Sequence, residues 1–147
     1  MKKNLRIRPF WLLLLSIGLI LPGVCPAADD IRWQSFSSGM KTAETEGRPV
    51  LLHFYADWCR FCVKMGNETF RDQAVVGYLS RNFIAIKVNT DREKELARQY
   101  LVRGLPTTII IKSDGSRSGA IPGYLSGPQM LALLNQMHPE SGGPPAE

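Results

Sequence analysis

The sequence predicts an α/β domain in which a mixed β-sheet is sandwiched by helices. Three observations carry that reading. Apolar, β-branched runs alternate with segments of helical periodicity, crossover helices separate the early runs, and a hairpin signal joins the last two. Trp33, Phe36, Met40 and Ala43 recur at helical spacing, and Gly47 to Pro49 ends that element. Val50 to Ala56 is apolar except for His53, as suits a strand covered on both faces. A turn follows, and a helix starts near Cys59. Asp72 is placed to cap a short helix that runs to Leu79, and Phe83 to Val88 reads as a second buried strand. Thr90 and Glu93 have capping-box spacing before a helix bearing Leu96, Ala97 and Tyr100. Thr107 to Ile111 is β-branched, and Asp114-Gly115 then turns the chain into a strand near Ala120. Ser126 and Gln129 open the last helix, along which Met130, Leu133, Leu134 and Met137 form an apolar stripe.

The ends of the chain read differently. Lys2, Lys3, Arg6 and Arg8 precede the apolar run Phe10 to Leu21, a Pro22-Gly23 break and the small-residue stretch ending at Ala27 and Ala28. This is the order of a secretory signal peptide, and the run is short of the roughly 20 residues a spanning helix needs. Residues 1–28 are thus expected to be a signal peptide cleaved near Ala27/Ala28, residues 29–138 one domain, and 139–147, rich in Pro and Gly, a loose tail. The 147 residues carry 18 Lys and Arg against 13 Asp and Glu, a net charge of +5. Beyond residue 28 the balance is 14 against 13, so the basic character belongs to the leader. That removes the case for a nucleic-acid partner. Contact with a membrane is expected only through the transient leader, and the location is extracytoplasmic, as in a periplasm. Cleavage discards Cys25 and leaves Cys59 and Cys62.

Ala56-Asp57-Trp58-Cys59-Arg60-Phe61-Cys62 sets two thiols three residues apart where a strand passes into a helix. On a first helical turn they lie within reach of disulfide geometry. Cys59 at the helix N-terminus gains thiolate stabilisation from free N–H groups and the dipole, and Arg60 adds positive charge. Cys62, one turn in, is shielded. A structural disulfide is the rival reading, yet a loop this short restricts the unfolded chain by only about 2 kcal/mol. Half of a zinc site would need further ligands, and only His53 and His138 are on offer. Neither metal nor cofactor is expected. Met65, one turn past Cys62, makes a Cys-Cys-Met copper site conceivable, although a core methionine is the simpler reading.

With these motifs the sequence resembles the thioredoxin superfamily over about residues 49–137. The resemblance rests on Val50 to Ala56, Asp57 to Cys62, Lys87-Val88-Asn89 and Arg103-Gly104-Leu105-Pro106-Thr107. Within it, Tyr55 to Cys59, Thr69-Phe70 and Gly104 to Thr107 look most like the C-terminal periplasmic domain of DsbD-type thiol:disulfide interchange proteins and their free-standing secreted relatives. The expectation is a thioredoxin fold without the transmembrane electron-carrying part of that family. The resemblance implies that Cys59 is the nucleophile, Cys62 the resolving thiol and Trp58 the aromatic beside the site. Pro106 matches a proline held in cis opposite the disulfide, which leaves the backbone of Leu105 to pair with an extended client.

Two departures stand out. Where the superfamily usually carries a buried acid, this chain has His53, and Lys87 matches the lysine beside that acid. Two readings fit His53: a neutral acceptor of the Cys62 proton, directly or through water, or a hydrogen-bonded core histidine. Arg60-Phe61 replaces Gly-Pro between the cysteines, which predicts a potential above thioredoxin's. The expected function is an extracytoplasmic thiol–disulfide oxidoreductase that reduces disulfide-containing proteins and draws electrons from a membrane thiol–disulfide reductase. A dithiol oxidant or isomerase, and a copper-carrying or peptide-binding module, are the alternatives.

Overall fold

The computed structural model describes residues 30–138, so the signal-peptide and tail expectations lie outside the described residues. The elements are α1 (Phe36–Glu46), β1 (Val50–Tyr55), α2 (Arg60–Asn67), α3 (Gln73–Asn82), β2 (Ile84–Asn89), α4 (Lys94–Gln99), β3 (Thr107–Ile111), β4 (Ile121–Pro122) and α5 (Gly127–Met137). A single 3-10 turn, Thr69–Arg71, lies between α2 and α3. The order is the one the periodicity predicts. The sheet runs β2-β1-β3-β4, with β1 parallel to β2 and antiparallel to β3, and β3 antiparallel to β4. It is therefore mixed.

Strand alternation sorts the core into two layers. Val50, Leu52 and Phe54 of β1 face Ile84, Ile86 and Val88 of β2 and Ile109 and Ile111 of β3, under α1 and α4. Leu51, Ala85 and Ile110 face the other way, under Met65 of α2, Val75, Val76 and Leu79 of α3, and Met130 and Leu134 of α5. Helix α1 lies close on β2. A Cβ at Gly39 would stand 2.4 Å from Ile86 Cγ1, so only glycine admits this approach.

Two local expectations are corrected. Trp33 to Ser35 is not helical: Ser35 caps α1, Gln34 forms a bridge to Ile86, and the Gln34 N–H donates to the Ala85 carbonyl at 2.9 Å. Backbone pairing with the sheet edge outweighs the helical spacing of Trp33. The capping box at Thr90 and Glu93 does not form, because the Thr90 hydroxyl donates to the Tyr55 carbonyl at 3.4 Å and Glu93 makes no side-chain cap bond. The last strand is Ile121–Pro122, just past Ala120 and only two residues long. By contrast, Asp72 caps α3 through bonds from the N–H groups of Ala74 (2.9 Å) and Val75 (3.1 Å). Gln129 likewise receives the Ser126 N–H at 2.9 Å at the start of α5. His138, at the end of that helix, is half-buried and edge-on to the Phe83 ring at 5.8 Å.

Candidate active site

The sheet register gathers the site at one end. Tyr55 ends β1 opposite Asn89, the end of β2, and Phe54 pairs with Thr107, the start of antiparallel β3. The segments after β1, after β2 and before β3 therefore converge, and they carry the cysteine motif, Thr90-Asp91-Arg92 and Leu105-Pro106 respectively.

Cys59 is the N-cap of α2. Its backbone N–H donates to the Ala56 carbonyl at 3.2 Å, which closes the turn after β1. The Cys62 N–H donates to Cys59 Sγ at 3.2 Å, so the sulfur occupies the place of a capping oxygen. This is the arrangement that stabilises a thiolate at a helix N-terminus. The two cysteines are joined as a disulfide with their Cα atoms 5.2 Å apart. Both are buried, together with Ala56, and Tyr55 and Leu105 pack against them. The Leu105–Pro106 bond is cis, and the Pro106 carbonyl accepts from the Gly123 N–H at 2.7 Å.

Trp58, Arg60 and Phe61 surround the pair on the solvent side. Trp58 is 73% exposed and its indole N–H donates to Asp91 Oδ2 at 2.9 Å, so this tryptophan lies over the surface and outside the core. Met65 is fully buried among the residues that pack under α3 and α5, where it serves as a core methionine. Among the described residues no group of three His, Cys, Asp or Glu is arranged to hold a metal, and no helix is long and apolar enough to cross a membrane.

His53 lies beneath, fully buried. It pairs in register with Lys87, and its ring sits 4.9 Å from Phe70, 6.1 Å from Trp33 and 6.2 Å from Tyr55 between centroids. Its Nδ1 has no hydrogen-bond partner among the described residues. Burial first, and the Lys87 charge second, hold its pKa down to about 3. The Lys87 ammonium lies 4.8 Å from the centre of the Trp33 ring and 5.2 Å from that of Tyr55. Burial lowers its pKa, while Asp30 and Asp57 oppose that shift.

His53 gives a pH signature to folding. The folded chain keeps it neutral down to about pH 3, whereas an unfolded histidine takes up a proton below about pH 6.5. The unfolded state thus binds more protons in that window, and stability is lost as pH falls through it, by at most about 1.4 kcal/mol per pH unit. Urea unfolding at pH 7, 5.5 and 4 is expected to show a steeper loss for the wild type than for His53→Gln. Parallel curves would exclude a neutral buried His53.

Comparison with known proteins follows the same outline. Residues 36–138 match the family described as a thioredoxin-like domain. The chain belongs to the thioredoxin-like family. It is 33% identical over 103 residues to the thiol:disulfide interchange protein DsbD of Actinobacillus pleuropneumoniae, covering 66% of this chain and 18% of that protein. It is also 45% identical over 69 residues to the chloroplastic thioredoxin-like protein CITRX of Arabidopsis thaliana, covering 47% of this chain and 36% of that one. The chain therefore spans less than half the length of these relatives. Among solved structures, a thioredoxin from Thermus thermophilus superposes with a TM-score of 0.65 at 28% identity, over 73% of this chain and 86% of that one. The oxidised C-terminal domain of Neisseria meningitidis DsbD does so with 0.57 at 26% identity, over 71% and 97%.

Cys59 and Cys62 pack with Tyr55 and Leu105, while Trp58 and Arg60 are exposed beside them. Asp57, Asn89, Asp91 and Arg92 were given no role on the sequence. Asn89 donates through Nδ2 to Asp57 Oδ2 at 3.2 Å, and Arg92 approaches the same oxygen at 3.9 Å. Asp57 sits inside the cysteine motif, and the parallel register sets Asn89 beside it.

Proposed function

We propose that this thiol–disulfide oxidoreductase runs as a reductase of protein disulfides outside the cytoplasm, resupplied by a membrane thiol–disulfide reductase. The observation that carries the reading is the place of Cys59 at the N-cap of α2, its sulfur receiving the Cys62 N–H at 3.2 Å. A thiolate held there attacks a client disulfide, and Cys62 then attacks Cys59 to release the reduced client and form Cys59–Cys62. The likeness to DsbD, a thiol:disulfide interchange protein, supports the exchange chemistry. Arg60 is exposed beside Cys59 and makes no ion pair among the described residues. Its charge favours the thiolate and raises the potential.

The test sets the two directions against each other. Reduced protein is mixed with an oxidised client, oxidised protein with a dithiol peptide, and the midpoint potential is read against glutathione. Faster client reduction, with re-reduction by a membrane fraction, is expected. Arg60→Gly lowers the potential by on the order of 10–30 mV. Faster dithiol oxidation with no membrane donor would make the protein an oxidant or isomerase. Stoichiometric Cu(I) capture without exchange would make it a copper carrier.

A further inference from the structure

Beside Cys62 lies an open pocket of about 320 Å³, whose polar and ionisable walls are Tyr55, Asp57, Cys62, Asn67, Arg71 and Lys87. A polar space of this size admits water. Asp57 is exposed, so the resolving cysteine communicates with solvent through the cavity and not through the core. His53 does not line it. That ring is enclosed by Trp33, Phe70 and Tyr55 on the layer below.

The chemistry of the walls leaves one proton acceptor. A phenol, an ammonium and a guanidinium are donors at neutral pH, and an amide is no base. Asp57 is a carboxylate, fixed by the Asn89 amide at 3.2 Å and flanked by Arg92 at 3.9 Å. Lys87 faces it from β2, with its ammonium held over the Trp33 and Tyr55 rings. We infer that Asp57 accepts the Cys62 proton, through water in this cavity, in the step that releases the reduced client. The inference rests on the oxidoreductase reading above.

The step balances. In the mixed disulfide, Cys62 begins as a thiol. Its proton passes through water to the Asp57 carboxylate, and the resulting thiolate attacks Cys59 Sγ. The Cys59–client bond breaks and the Cys59–Cys62 bond forms. The client sulfur leaves as a thiolate and takes a proton from solvent. Two electrons pass from the protein dithiol to the client disulfide. Lys87, at the cavity wall, favours the transient Cys62 thiolate by its charge. His53 is a poor alternative, because burial makes its ring a weak base.

The probe is the aromatic disulfide 5,5′-dithiobis(2-nitrobenzoate), mixed one to one with the reduced full chain in stopped flow. The first release of coloured thiolate reports attack by Cys59, and the second reports attack by Cys62. Asp57→Asn is expected to slow the second phase by about tenfold or more at pH 7 and to make it rise more steeply with pH, as deprotonation of Cys62 then falls to solvent, with the first phase unchanged. Asp57→Glu restores the second phase. An unchanged second phase, an equal fall in both phases, or no recovery with Glu would overturn the assignment. Absence of both phases in the wild type would instead remove the oxidoreductase reading.

Discussion

Replacing Cys62 by Ser leaves a protein that attacks a disulfide once and then stays bound to it. Cys59 keeps its N-cap place, since the backbone N–H of residue 62 still reaches its sulfur. No second thiol stands within reach: the Cα of position 62 is 5.2 Å away, and the described residues hold no other cysteine. The mixed disulfide therefore accumulates and migrates as a covalent complex on non-reducing gels. Cys59→Ser has the opposite outcome. It removes the nucleophile itself, so turnover falls by about a thousandfold or more and no complex forms. Together the two variants identify which thiol attacks. Complexes that formed equally with either single cysteine would defeat the assignment of Cys59. On the proposed function, trapping in cells is expected to recover both clients and donor, because each would exchange through the same sulfur.

The second large effect is on stability. Phe54, next to the last residue of β1, is fully buried in one layer with Leu52, Ile86, Val88 and Ile109, its ring 5.7 Å from that of Tyr100. Phe54→Ala removes the ring from a layer closed on one side by the sheet and on the other by α1 and α4. The expected cost is about 3–5 kcal/mol. With a urea slope of about 1–3 kcal/mol per molar, the midpoint falls by at least about 1 M at an unchanged slope. A loss under about 1 kcal/mol would mean that this layer repacks freely. Exchange by the folded fraction is expected to persist, because Phe54 faces away from the layer that holds His53 and Met65.

The order of elements was legible because each run has one dominant period, and the Asp72 and Gln129 caps have local sequence signatures. Trp33 misled for a physical reason. Its spacing suits a helix, but its ring packs edge-on to Phe70 at 4.9 Å while Gln34 pairs with the sheet. Thr90-x-x-Glu93 has the letters of a capping box, yet the hydroxyl serves a neighbouring strand end that no local pattern reveals. The cysteine pair was legible because its chemistry sits within four consecutive residues. The pocket beside Cys62 was not. Its walls come from β1, α2, the 3-10 turn and β2, and only the sheet register brings Asp57 to Lys87 and Asn89. The orphaned Nδ1 of His53 is likewise a property of the enclosure that Trp33, Phe70 and Tyr55 build around it.

Helix α4 is six residues long and buries none of them. It is followed by Leu101, which has a positive φ of 54° and is 67% exposed, and then by the segment that leads to Leu105 and Pro106. The hold of this stretch on the sheet runs through the partly buried Leu96, Ala97, Tyr100, Val102 and Leu105, so it is expected to open at a lower free energy than the fully buried strands. The sheet and α2 can stay closed while it does so. The wall on one side of the disulfide is thus mechanically softer than the helix that carries the thiols. On the proposed function, that wall is the part expected to yield to clients of differing shape, while the geometry of the sulfur pair is left undisturbed.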